Sequence, residues 1–293
     1  MAEIDFTFDN YFIVEEKLIT NLAIEKFVER TPFSELEFTF HNETQHLQIR
    51  DIASRALDAS GPLAQIVSWN WDNGRQEIQQ TLILDKSGSL DFDCSIDTSI
   101  IVRILKKREL VEKCFSPCPP LDSMDYGFIV QIAEHHLTVS AHWLMCVSPV
   151  FYAMINRDMK EKQQGSVNLS ATFGTMEQFL HFMDYISPNA VHGPYCPNPK
   201  TVIDLLVLAE QYQIEWLKRR CDEHLVNCVE LQLVERLFLV ESFDLNKLKE
   251  YFLHSLDVVN LRKFGTENRA QLSSPSISKE FALDLFKRVC DEE

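Results

Sequence analysis

From the N-terminus to about residue 110, apolar and polar residues alternate over short windows. Leu36 to Phe40 (LEFTF), Gln79 to Leu84 and Thr98 to Leu105 are the clearest runs. A period of two puts every second side chain on one face of an extended chain, so these runs predict half-buried strands. Between the runs lie His41-Asn-Glu, Asp72-Asn-Gly and Asp85-Lys-Ser-Gly. Asn and Gly accept the positive φ of a two-residue hairpin turn, which makes Asp72-Asn73-Gly74 the strongest hairpin signal. Ser68-Trp-Asn-Trp sets Trp69 and Trp71 on one strand face, either as core or edge packing or as an aromatic contact surface. Residues 13–30 and 50–60 carry a weak helical signal, the second through Ile52, Ala53, Ala56 and Leu57. Residues 1–112 are thus expected to form a β-rich domain, an antiparallel sandwich.

The period then changes. Lys106-Lys-Arg-Glu closes the last strand as a solvated end, and Pro117, Pro119 and Pro120 follow. Each proline lacks an amide donor and has a fixed φ, so residues 113–122 read as a linker. Beyond it, Phe128 to Ala133 predicts a buried strand, Glu134-His-His a turn, and Leu137-Thr-Val its return. Ser140 is a good N-cap for a helix over Ala141 to Val147, because its hydroxyl can accept a first-turn amide. Ser148-Pro149 caps the next helix, with proline at its permitted first position. Val150, Phe151, Met154 and Ile155 share a face there. Ser166-Val-Asn-Leu-Ser predicts a short strand. Met176, Phe179, Leu180 and Met183 recur at helical spacing, as do Val202, Leu205, Leu206 and Ala209, then Ile214, Leu217, Cys221 and Leu225. Pro188 to Pro199 is the loop between the first two of these helices. After residue 229, helices are expected over Glu230 to Phe243, over Leu245 to Leu256 with Asp244 as start signal, and after Ser278.

Charge and composition narrow the chemistry. The 293 residues are 45% hydrophobic, with a formal net charge of −16. Nucleic-acid binding needs a basic surface to displace counterions, so neither nucleic acid nor an anionic membrane is an expected partner. No run approaches the roughly 18 apolar residues of a membrane span, and MAEIDFTFDNYF is no signal peptide. The eight cysteines are scattered, mostly inside apolar patterns, which suits reduced thiols in the cytoplasm or nucleus. Cys114 and Cys118 lack a second Cys/His pair to complete a zinc tetrahedron. His135 and His136 alternate across a strand and cannot readily share a metal, and His142 is a surface residue. Cys146 and Cys221 lie on helical faces that read as buried, so no activated nucleophile is expected. The residues argue for no cofactor and no catalysis, and for a protein-interaction module.

The segment from the hairpin into LTVSAHWLMCVSPVFYAMI, through SVNLS and MEQFLHFMDYIS, to VIDLLVLAEQYQIEWLKRRCDEHL resembles the BTB (POZ) domain. Its nearest flavour is that of nematode BTB/MATH proteins and speckle-type POZ cullin adaptors. The resemblance implies an α+β architecture: a MATH-like sandwich (1–112), the linker (113–122), a BTB fold (123–228) and a helical BACK-like extension (229–293). It also implies a homodimer that recruits an unknown protein substrate, through the N-terminal domain, to a cullin-RING ubiquitin ligase. In cullin-binding members a hydrophobic-x-Glu motif follows the Ser-x-x-Phe helix. Ser148-Pro-Val-Phe151 is followed here by Met159-Lys160-Glu161, which makes Met159 and Glu161 the candidate cullin contacts. The alternative is a homodimerising scaffold or regulator that binds no cullin. Where transcriptional members carry a basic residue for a charged co-repressor pocket, this chain has Ser140-Ala141, so that pocket is not expected.

Overall fold

The computed structural model describes residues 7–20, 25–31, 34–53, 61–85, 88–108, 127–157, 160–186, 195–274 and 277–291. The proposed linker, with Cys114 and Cys118, lies outside these residues, as does Met159. The chain divides into two compact units: residues 1–108 with 198–200 and 222–293, and residues 109–197 with 201–221.

In the first unit the described strands are β1 (Tyr11–Ile19), β2 (Lys26–Arg30), β3 (Glu35–His41), β4 (His46–Asp51), β5 (Pro62–Asp72), β6 (Arg75–Asp85), β7 (Ser89–Asp93) and β8 (Ser99–Lys107). They form two four-stranded antiparallel sheets, ordered β1-β8-β5-β6 and β2-β3-β4-β7. Leu36, Phe38 and Phe40 of β3 meet Ile100, Val102 and Ile104 of β8 in one buried cluster between the sheets. The period-two reading and the expected sandwich therefore agree with the structure. Phe27 stacks on its cross-strand partner Phe38 at 4.8 Å, adding an aromatic pair to the ladder. The β5–β6 turn has positive φ at both Asn73 (47°) and Gly74 (78°), the geometry those two residue types favour.

Two expectations fail. The helical signal over residues 13–30 gives way to β1 and β2. Glu and Lys are good helix formers in this stretch, but β1 pairs with β8 from Tyr11↔Lys107 to Ile19↔Ile100, and long-range pairing overrides a weak local preference. The signal over residues 50–60 ends in strand β4 at Asp51, and residues 54–60 are outside the described set. Second, β5 and β8 are not half-buried. From Pro62 to Trp69 and from Ser99 to Leu105 both faces are covered.

The second unit holds β9 (Gly127–Ile132), β10 (His135–Ser140) and β11 (Ser166–Asn168), ordered β10-β9-β11. The hairpin turns at Ala133-Glu134, with Ala133 at φ 51°, so His135 and His136 open β10 and do not form the turn. β9 alternates in burial, with Ile129 exposed. The described helices are α1 (Ala141–Val147), α2 (Pro149–Asn156), α3 (Lys160–Gln164), α4 (Met176–Ile186), α5 (Val202–Gln211) and α6 (Glu215–Asn227), whose last turns belong to the first unit. Both serine caps act as expected: Ser140 Oγ accepts the Trp143 amide at 3.2 Å and Ser148 Oγ the Phe151 amide at 3.1 Å.

After α6 come α7 (Leu233–Phe243), α8 (Asn246–Glu250), a π-helical turn (Tyr251–Ser255), α9 (Val258–Glu267), α10 (Arg269–Leu272) and α11 (Lys279–Asp291). Asp244 is not a start signal. It ends α7 in the left-handed conformation, φ 50°, and the amides opening α8 are instead accepted by Asp222, at 2.8 Å from Lys247 N and 2.9 Å from Leu248 N. Asp257 caps α9, a helix absent from the periodicity reading. Ser278 caps α11 as expected. Phe252, Phe264 and Phe281, all buried, hold the π-turn, α9 and α11 together.

Candidate partner-binding surface

In the second unit the Ser148-Pro-Val-Phe151 motif is first a structural device. Ser148 is buried. Besides capping α2, its hydroxyl donates to the Tyr212 carbonyl at 2.6 Å, tying α2 to the end of α5. Phe151 is fully buried and stacks on the Tyr212 ring at 4.5 Å, with Phe173 and Phe182 around the same ring. Burial pushes the Tyr212 hydroxyl above its ordinary pKa, so it stays neutral in this aromatic nest. This anchor fixes the frame of α2, whose other side presents Tyr152 half-exposed.

Glu161 stands in the first turn of α3, partly exposed, where a carboxylate is favoured by the free amides of a helix start. Gly165 then turns the chain at φ 63° into β11. Met159 lies outside the described residues, so Glu161 is the candidate contact whose placement is described. Between α4 and α5 lies an open cleft of about 400 Å³, with Phe182, Leu205 and Leu208 in its floor and Gln178, His181 and Asp204 along its walls. Ile203 and Val207, one turn apart on α5, stand exposed beside it. Periodicity alone had placed α5 correctly, but the exposure of this second stripe needed the packed structure.

At the position of the absent basic residue, Ala141 is buried. His142 is exposed and lies 3.6 Å from Cys146, which is also exposed, against the expectation of a buried thiol. A seven-residue α1 packs one narrow stripe, Ala141 and Leu144, and leaves Cys146 on the opposite side. Cys221 is buried as expected.

The first unit contributes an apolar cleft of about 460 Å³ among α9, α10 and α11, lined by Leu261, Phe264, Leu272, Leu285, Phe286 and Val289. Phe286 is 65% exposed beside it. One arrangement in this unit has the order of a nucleophile, base and acid: Cys228 neighbours His224, whose Nδ1 is 3.1 Å from Glu16. Both Cys228 and His224 are buried, so a substrate has no path to the thiol. Among the described residues no group of three or more His, Cys, Asp or Glu side chains could hold a metal ion.

The family model described as BTB/POZ domain matches residues 124–228. The chain is 27% identical over 129 residues to BTB and MATH domain-containing protein 38 of Caenorhabditis elegans, covering 44% of this chain and 32% of that protein. It is 30% identical over 84 residues to a BTB/POZ domain-containing protein of Arabidopsis thaliana, covering 28% of this chain and 32% of that protein. The match thus spans about a third of the length of either relative. Residues 124–228 thus match the BTB/POZ domain, and the chain resembles a nematode protein named for its BTB and MATH domains.

Proposed function

We propose that this protein is a non-catalytic adaptor that recruits protein substrates to a cullin-RING ubiquitin ligase. The coarser part of this reading, an adaptor or scaffold built on a BTB/POZ domain, is supported by the match over residues 124–228. The finer part rests on one observation. Where the resemblance calls for a hydrophobic-x-Glu contact, Glu161 stands partly exposed on α3, directly after the helix anchored by Ser148 and Phe151. A carboxylate held there, two positions after a methionine in the sequence, has the chemistry of an interface anchor with a polar rim. The sandwich is the substrate receptor in this reading, in keeping with the MATH domain in the name of the nematode relative. The BTB domain also supplies the homodimer contact.

The test is binding of the purified chain to the N-terminal region of a cullin. The double variant Met159→Glu, Glu161→Lys should weaken binding by about 1–3 kcal/mol, the range of single interface anchors. Failure of the wild-type chain to bind any cullin would leave the scaffold reading, and a monomeric mass at micromolar concentration would remove the dimer.

A further inference from the structure

A sandwich needs only the inner face of each sheet to be apolar. In the sheet β1-β8-β5-β6 the central strands β8 and β5 also bury their outer face, and an outer row of Glu16, Arg103 and Gln65 crosses three strands in register. Register in β1 shifts between Ile13 and Glu15, a bulge that sets Glu16 directly opposite Arg103. Arg103 is fully buried. Its Nε donates to Glu16 at 2.7 Å, Nη1 to Gln65 at 3.1 Å and to Glu230, and Nη2 to Glu230 at 3.0 Å. Glu16 in turn receives His224 Nδ1 at 3.1 Å and Asn227 Nδ2 at 3.3 Å. Two cations and two carboxylates thus alternate, drawn from β1, β8, the end of α6 and the turn after it.

Further contacts flank this cluster. Val229 fills a small apolar nest of Val67, Trp69 and Ile101 on the same sheet face. Arg236 of α7, also fully buried, donates to the Leu225 and Val226 carbonyls at 3.1 and 3.0 Å and to the side-chain oxygen of Gln76 on β6. Gln76 then donates to the Tyr251 hydroxyl at 3.0 Å. At the hairpin tip, Gly74 lies against the backbone of Lys263 and Phe264 in α9.

We infer that the helices after residue 222 are a built-in cover on the outer face of β1-β8-β5-β6, latched by the Glu16–Arg103–Glu230–His224 cluster. Lifting this cover exposes Trp69, Val67 and Ile101 to water and strips buried charges of their partners, so the covered state dominates. The sandwich and these helices therefore move as one body. On the receptor reading above, substrate capture is confined to the second sheet and to open strand edges, since the covered face is already occupied by this same chain.

The test uses the full chain with a protease site placed in residues 113–122. After cutting, the N-terminal fragment should co-elute with the remainder in gel filtration at micromolar concentration. Fragments that separate overturn the cover. Glu230→Gln, at a partly exposed turn where misfolding is not at issue, should raise the dissociation constant of the cut halves about tenfold or more. Arg50→Gln on the other sheet should leave it unchanged. An unchanged constant for Glu230→Gln overturns the latch. Cullin plays no part in this readout, so loss of the adaptor reading and loss of the cover are separate outcomes.

Discussion

Replacing Gly74 by alanine isolates how closely the β5–β6 hairpin tip meets α9. Gly74 has φ 78°, and a Cβ added there falls 2.3 Å from Phe264 N and 2.7 Å from the Lys263 carbonyl carbon. Both are backbone atoms of a helix, so no side chain can rotate away, and the tip must retreat by more than an ångström. The left-handed backbone costs about 1–2 kcal/mol. The forced repacking adds about 1–3 kcal/mol. Stiffening of the unfolded chain returns about 0.4–1 kcal/mol. The net expectation is a loss of about 2–4 kcal/mol. Gly165→Ala is the control: φ is 63°, but nothing lies within 4 Å of the added Cβ, so it carries the backbone cost alone, about 1 kcal/mol. Urea unfolding followed by tryptophan fluorescence reads both, through Trp69 and Trp71 for the first unit and Trp143 and Trp216 for the second. A Gly74→Ala cost no larger than that of Gly165→Ala would refute the close approach.

The latch should make stability depend on pH at both ends. Burial opposes the charge on His224, but the Glu16 carboxylate and the neighbouring Cys228 sulfur outweigh it and lift the imidazole to about 9. A group raised in the folded state stabilises fully below its unfolded value, so this contribution is intact below about pH 6.5 and lost as pH rises through about 9. Burial would raise Glu16, but His224 and Arg103 hold it down to about 2, so its contribution is intact above about pH 4.5 and lost as pH falls toward 2. Urea midpoints should therefore form a plateau between about pH 4.5 and 6.5, and His224→Gln should flatten the alkaline fall. A midpoint equally steep in the variant would break this assignment. Ser148→Ala removes both a cap and a buried donor to the Tyr212 carbonyl, and should cost about 2 kcal/mol in the second unit with the fold retained. Thermal melts in which this variant matches wild type would show that solvent replaces both bonds.

Short-range signals carried far along this chain. Ser140, Ser148 and Ser278 cap helices where the hydroxyl precedes an apolar helical run, because a cap is a contact within a few residues. Asn73-Gly74 turns where it should, since the turn needs only those two residues to accept positive φ. The inner stripe of β3 and the helical stripes of α5 and α6 follow directly from period two and period 3.6, whereas α4 buries Phe179, Phe182, Met183 and Ile186 and leaves Met176 and Leu180 only partly covered. The resemblance to the BTB fold likewise sits in local motifs, and Glu161 could be nominated from them.

What the sequence left open depends on partners distant in the chain. Residues 13–30 carry Glu and Lys that suit a helix, but pairing with β8 makes residues 13–19 a strand and pairing with β3 makes residues 26–30 another. The largely apolar run of β8, Ile100 to Leu105, was the available sign of cover on both faces, yet the single arginine inside it reads as a surface residue. Arg103 is buried because carboxylates 87 and 127 positions away meet it there. The same holds for Asp222, which starts a helix it does not precede. Capping, turn and stripe are decided by neighbours in sequence, whereas burial of a charge is decided by which distant groups can neutralise it, and only the tertiary structure supplies those.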